Sequence, residues 1–112
     1  MNEIEFEAAV LAAYETLPGW VVAKIENLTI ETAEQPHPWQ QLLGLYEGVP
    51  LTERDKGYFG VMPDRITIYR LPHMTLGLGS EALRAEIRVT VLHEVAHHLG
   101  IDDTRLRELG WA

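Results

Sequence analysis

The spacing of apolar positions divides the chain into helix-like and strand-like stretches. Phe6, Val10, Ala13 and Leu17 recur three or four residues apart, the signature of one helical face turned to a core. Asn2 followed by Glu5 is a capping pair, so a helix is expected from about residue 2 to Leu17, with Pro18-Gly19 ending it. Over 24–31, Ile25, Leu28 and Ile30 interleave with polar residues as in a strand, and the alternation slips once near Asn27, where a bulge would account for it. Gln35-Pro36-His37-Pro38 reads as a loop, because two prolines remove two amide donors and keep their predecessors out of helical geometry. The run 42–46 predicts a short buried strand, and Gly48 and Pro50 a turn. Residues 52–60 are charged and glycine-punctuated, which predicts an exposed loop or hairpin tip with Arg54, Asp55 and Lys56 in solvent. The cleanest alternation is 65–71, with Ile66, Ile68 and Arg70 on one side, Thr67, Tyr69 and Leu71 on the other, and Pro72 as its stop. Gly77 and Gly79 then lead to Ser80, an N-cap candidate for a long helix over 81–99, and a last short helix is expected through about Leu109.

The long helix carries an unusual stripe. On a helical wheel Glu86, Thr90, His93 and His97 fall together, flanked by Ala85, Val89, Leu92, Ala96 and Leu99 on one side and by Leu83, Ile87 and Val91 on the other. A polar stripe between apolar ones suits a buried helix that faces a narrow cleft. Imidazoles and a carboxylate buried there cost kilocalories unless something satisfies them. Residues four apart on a helix have Cβ atoms roughly 5–6 Å apart, so His93 and His97 can turn ring nitrogens to one ion. Glu94 lies beside the pair, placed to take a proton from a water rather than to bind the ion. This is the H-E-x-x-H arrangement of zinc hydrolases.

A catalytic zinc usually takes three protein ligands and keeps a fourth position open, so one ligand remains to be found. Gly100 stands where the helix should stop, because glycine enters the left-handed conformation without a Cβ penalty. Three further residues span at most roughly 10 Å, enough to bring Asp103 round the helix end. Asp102 is then assigned to capping the last helix and Asp103 to the metal. With five His in the chain, a shuffled copy would contain H-E-x-x-H about 2% of the time. The plain alternative, an ordinary solvated helix face, therefore stays open beside the metal site. Two His and one Asp suit Zn²⁺ and also admit other divalent ions.

Composition narrows the function classes. A chain of 112 residues, 46% hydrophobic and 23% charged, is ordinary globular material of single-domain length. The net charge of −8 and the lack of a Lys/Arg run argue against a nucleic-acid partner. An acidic surface mildly favours cations. Without cysteine there are no disulfides or thiolate ligands. The acidic start Met1-Asn2-Glu3-Ile4-Glu5 is unlike a secretory signal and no stretch approaches the roughly 18 apolar residues of a membrane span, so a cytoplasmic protein without a membrane partner is expected.

Residues 93–103 form the string H-E-x-x-H-x-x-G-x-x-D, which resembles the metzincin-type signature with aspartate as third ligand. Together with residues 44–54, with 63–70 and with the ending Leu109-Gly110-Trp111, it makes the chain similar to a family of short bacterial proteins described as minimal zincin-like metallopeptidases. The resemblance covers most of residues 40–111. It implies one α+β domain over 1–112, with a small twisted sheet packed on the motif helix and helices at both ends, and zinc-dependent peptidase activity on a peptide or protein substrate. In that reading His93, His97 and Asp103 hold the ion and Glu94 is the base. The edge of the 66–71 strand is expected to pair with an extended peptide. Tyr46, Tyr69 and His98 are conceivable oxyanion donors but read first as packing or supporting residues. Glu108 is read as solvated rather than as a ligand. The competing class is a catalytically silent metal-binding or protein-interaction module on the same fold. The sequence leaves the oligomeric state open, and a monomer is compatible with it.

Overall fold

The computed structural model describes residues 1–54 and 62–111. Helix α1 (Glu3–Glu15) opens on the expected capping pair: the Asn2 side chain accepts from the Glu5 amide at 2.8 Å, and the Glu5 carboxylate accepts from the Asn2 amide at 3.0 Å. Phe6, Val10 and Ala13 are buried as the spacing predicts, joined by Ala9. The helix stops before Leu17, and Ile4 and Leu11 remain exposed on its other side.

A short helix α2 (Gly19–Val22) follows where only a breaker is expected, because Pro18 occupies the cap and proline is well suited to a helix start. Val21 is thereby carried into the core. This extra turn displaces the next element, so strand β1 spans Leu28–Ala33 rather than 24–31. Asn27 precedes it with φ +53, a left-handed turn residue and not a bulge. Strand β2 is Gly44–Glu47 and strand β3 is Asp64–Tyr69. A 3₁₀ turn (Leu51–Glu53) lies where residues 52–60 read as open loop. Asp55 and Lys56 lie outside the described residues.

The sheet has the order β1-β3-β2, with β1 parallel and β2 antiparallel to β3. Ile66 stands opposite both Ile30 and Tyr46. Ile66 and Ile68 are fully buried and pack with α1 and with the long helix α4 (Ser80–His98). On the opposite face, by strand alternation, lie Arg65, Thr67 and Tyr69. There Arg65 pairs with Glu47 at 3.0 Å and Glu31 at 3.6 Å. Because β3 is the central strand, its edges are taken by β1 and β2. It cannot pair with a peptide, contrary to the sequence expectation for 66–71.

The strand ends at Tyr69 because helix α3 (Arg70–Met74) begins there, with Pro72 in its first turn, where a missing amide costs nothing. Helix α4 begins one residue before the expected start, with Gly79 rather than Ser80 at its N-cap position and no side-chain cap bond there. Its buried residues include Leu83, Ile87, Val91, Val95 and Ala96, whereas Ala85 and Val89, expected to flank the stripe in the core, are exposed. Helix α5 (Asp103–Leu109) closes the fold, capped by Asp102, whose side chain accepts from the Arg105 amide at 2.8 Å. The result is a mixed α+β fold, three strands covered on one face by helices. No described helix is long and apolar enough to cross a membrane.

Candidate metal centre

Helix α4 ends in a Schellman turn. The Ile101 amide donates to the Ala96 carbonyl at 2.9 Å and the Gly100 amide to the His97 carbonyl at 3.0 Å, with Gly100 at φ +89. A Cβ at Gly100 would also collide with the Thr52 side chain, so the position excludes other residues twice over. The reversal brings the start of α5 back alongside the last turns of α4. Asp103 Oδ1 comes to lie 3.1 Å from His97 Nε2 and 3.5 Å from His93 Nε2. Two atoms each bound to zinc at 2.0–2.1 Å and at the tetrahedral angle are about 3.3–3.4 Å apart. Both separations are compatible with a shared ion, and the shorter one is also a hydrogen bond between the His97 ring and the Asp103 carboxylate; two imidazoles and a carboxylate are a donor set that zinc accepts.

Glu94 is buried, with Oε1 3.3 Å from His97 Nδ1. One ligand atom each from His93, Glu94 and His97 can be found within 4.8 Å of one another. Asp103 nevertheless has the better claim to the third position, because its oxygen meets the Nε2 atoms of both histidines, whereas Glu94 approaches His97 at its other nitrogen. The field of the site is suited to a cation. The hydrogen bond with Glu94 holds the His97 imidazole above its ordinary value, and Asp103 adds to this against the opposing effect of burial. Asp103 is held below the usual carboxylate range, first by its bond with His97. Carboxylates that favour an imidazolium here would favour a dication more strongly.

Strand β2 approaches the site closely. A Cβ on Gly44 would stand 3.0 Å from Glu94 Cγ and from Thr90 Cγ2, so a bare backbone there leaves room for the Glu94 side chain. In the sequence Gly44 reads as part of a strand and of the family-like segment 44–54, with no sign of its approach to Glu94. Thr90, placed on the polar stripe, is instead engaged by buried His73, whose Nε2 is 3.0 Å from its hydroxyl and whose Nδ1 is 2.7 Å from the Tyr69 carbonyl. A carbonyl can only accept, so Nδ1 carries the proton and donates. Burial pushes this imidazole down, which favours its neutral form, and the single Thr90 hydroxyl proton is shared between Nε2 and the Glu86 carbonyl, each 3.0 Å away.

A second ionisable cluster, which sequence reading missed, includes His98, the neighbour of His97 on α4. Asp64 is buried. It accepts from the Tyr46 hydroxyl, from Arg54 Nη2 at 2.9 Å, from the Val49 amide at 3.1 Å and from His98 Nδ1 at 2.8 Å. The Glu26 amide donates to His98 Nε2 at 3.2 Å, which makes that nitrogen an acceptor and leaves the proton on Nδ1. Burial pushes the Asp64 carboxyl up, but the bonds from Tyr46, His98, Val49 and Arg54 together outweigh it and bring it below its ordinary value. Arg54 is thus no solvated surface residue: its side chain is only 8% exposed and also donates to the Val49 and Glu26 carbonyls. Asp64 was detectable in principle. It shares strand parity with Ile66 and Ile68, and a carboxylate on a core-facing position must have donors.

Four further candidates are His98, Tyr46, Tyr69 and Glu108, of which Tyr46 shares the wall of a surface cavity with His97. His98 and Tyr46 are hydrogen-bonded to Asp64. Tyr69 lies on the outer face of β3, near Glu47, Arg65 and Glu31. Glu108 pairs with Arg105 at 2.9 Å in solvent, as expected.

The family model described as zincin-like metallopeptidase matches residues 20–111. Among solved structures, a conserved hypothetical protein from Thermo thermophilus has a similar fold, with a TM-score of 0.57 and 23% identity over 86% of this chain and 92% of that one. Among curated proteins none matches.

Proposed function

The chain belongs to the zincin-like metallopeptidase family, and on that premise we propose that it hydrolyses peptide bonds at a zinc centre held by His93, His97 and Asp103, with Glu94 as general base. The observation that carries the ligand set is the single Asp103 oxygen set against both ring nitrogens. Zinc bound there would supply Lewis acidity, lowering the pKa of a water to about 7 and polarising the scissile carbonyl. Glu94 takes the proton from the attacking water and returns it to the leaving amine. Its burial beneath β2, against Gly44, limits the positions its carboxylate can take. Among the described residues β2 is an edge strand, and it lies beside α4, so its outer backbone groups offer an extended substrate a ladder across the site.

The test is cleavage of an unbiased peptide library by zinc-loaded wild type and Glu94→Gln, with metal analysis of both proteins prepared without a His-tag. Wild type should cleave, and the variant should lose about 10²–10⁴-fold in rate at unchanged metal content. Equal metal binding with no cleavage by either protein would overturn the hydrolase reading in favour of a catalytically silent metal-binding or interaction module.

A further inference from the structure

The sheet has a second edge, on the side away from β2 and the metal centre. Among the described residues β1 pairs with β3 alone. In a parallel ladder alternate residues bond to the neighbour. The Asp64 amide donates to the Asn27 carbonyl at 2.9 Å. The odd-numbered residues of β1 therefore face β3, and the backbone groups of Leu28, Ile30 and Thr32 point outward. Helix α1 does not close onto this edge. A cavity of about 510 Å³ lies between them, lined by Val10, Leu11 and Tyr14 from the helix side and Ile25, Leu28 and Ile30 from the strand side. Leu11 is 59% exposed, on a face of α1 that the core does not use. An unpaired strand edge and an apolar groove at the same place leave space for one more strand.

Charge selects its occupant. Helix α1 contains Glu3, Glu5, Glu7 and Glu15 and no Lys or Arg, and β1 adds Glu31. Glu7 and Glu31 border the groove. A second copy of this chain would bring the same acidic groups to the contact and a net charge of −8 with them. We propose that this edge is a docking site for an extended basic segment of another protein, which adds to the sheet as a fourth strand beside β1. Its apolar side chains enter the groove under Leu11, and its Lys or Arg side chains, alternating with them, meet Glu7 at the rim and, on the outer face, the half-exposed carboxylate of Glu31, which also pairs with Arg65. The site is separate from the metal centre and does not depend on catalysis.

The probe is a blocked hexapeptide of alternating valine and lysine, titrated into the full isotope-labelled chain while backbone amide shifts are followed, with a valine–glutamate hexapeptide as comparison. Saturable shifts should concentrate on residues 7–14 and 25–32 and appear with the basic peptide only. Leu11→Gln, a surface change, should weaken binding at least about tenfold. The Glu7→Lys, Glu31→Lys double variant should reverse the preference between the two peptides. No saturable shift up to millimolar peptide, shifts centred on β2 and the metal residues, or unchanged affinity in the variants would overturn the proposal. So would concentration-dependent dimerisation that Leu11→Gln disperses, since the edge would then belong to a second copy.

Discussion

His97 and His98 are neighbours on one helix, yet they answer to different physics. His97 is half-buried, and both its nitrogens face carboxylates at 3.1 and 3.3 Å. His98 is fully buried, with one nitrogen donating to Asp64 and the other accepting from a backbone amide. The contrast shows that a histidine's neighbours in sequence say little about its availability. A ring whose donor and acceptor are both satisfied by the fold has no lone pair left for an ion. A ring set among carboxylates at the surface of a cleft has every reason to take one.

The sharpest way to break the contrast is to remove the partner that makes His98 structural. Asp64→Ala leaves Arg54 and His98 buried without their shared acceptor and should cost about 3–5 kcal/mol, the usual scale for breaking a buried ion pair from one side. Urea unfolding would read it, with the metal-free protein as reference. A loss under about 1 kcal/mol would mean that the cluster is solvated and that the distinction between the two histidines is weaker than drawn.

Metal-linked stabilisation separates the neighbours directly. A ligand at 100 times its Kd raises stability by about 2.7 kcal/mol, so zinc should raise the melting temperature of chelator-treated wild type. The His93→Ala, His97→Ala double variant should lose that shift entirely. His98→Ala should melt lower in both states but keep the difference between them. A zinc shift that survives the double variant would place the metal elsewhere.

A second adjacent pair sharpens the same point. Asp103→Ala should weaken metal affinity by at least about tenfold, because a charged ligand is lost. Asp102→Ala removes a cap and should cost about 1 kcal/mol of stability with metal affinity nearly intact. Isothermal titration and thermal melts on both variants decide the assignment, and the reverse pattern would move the ligand to Asp102.

The smallest expected effect is in acid. Asp64 has its folded pKa below its ordinary value, so its contribution is fully present above the ordinary value of about 3.9. It is lost progressively as pH falls from there through the depressed folded value. Wild type should therefore show a steeper loss of stability below about pH 4 than Asp64→Asn, in metal-free protein by urea melts across pH. Parallel curves would remove Asp64 as a source of acid sensitivity.

What was legible in the sequence is what depends on residues within a turn or two of one another. The capping pair of α1, the long helix, the pairing of His93 with His97 across one turn, the stop at Gly100 and the capping role of Asp102 are all local, and each was found within a residue or two of its expected place. The short helices α2 and α3 escaped because a single turn has too few apolar positions to show a period, and prolines that open helices look the same as prolines that end strands. Strand order could not be read at all. Alternation predicts a strand at 65–71 but not that it is central, and only the pairing of β3 with both β1 and β2 leaves β2, among the described residues, as the outer strand beside α4. Asp64, Arg54, His98 and the Glu26 amide meet from four separate parts of the chain, and Gly44 meets Glu94 across fifty positions. Such contacts are decided by how the elements pack, because the cost of a buried charge or an absent Cβ exists only once the partners have been brought together.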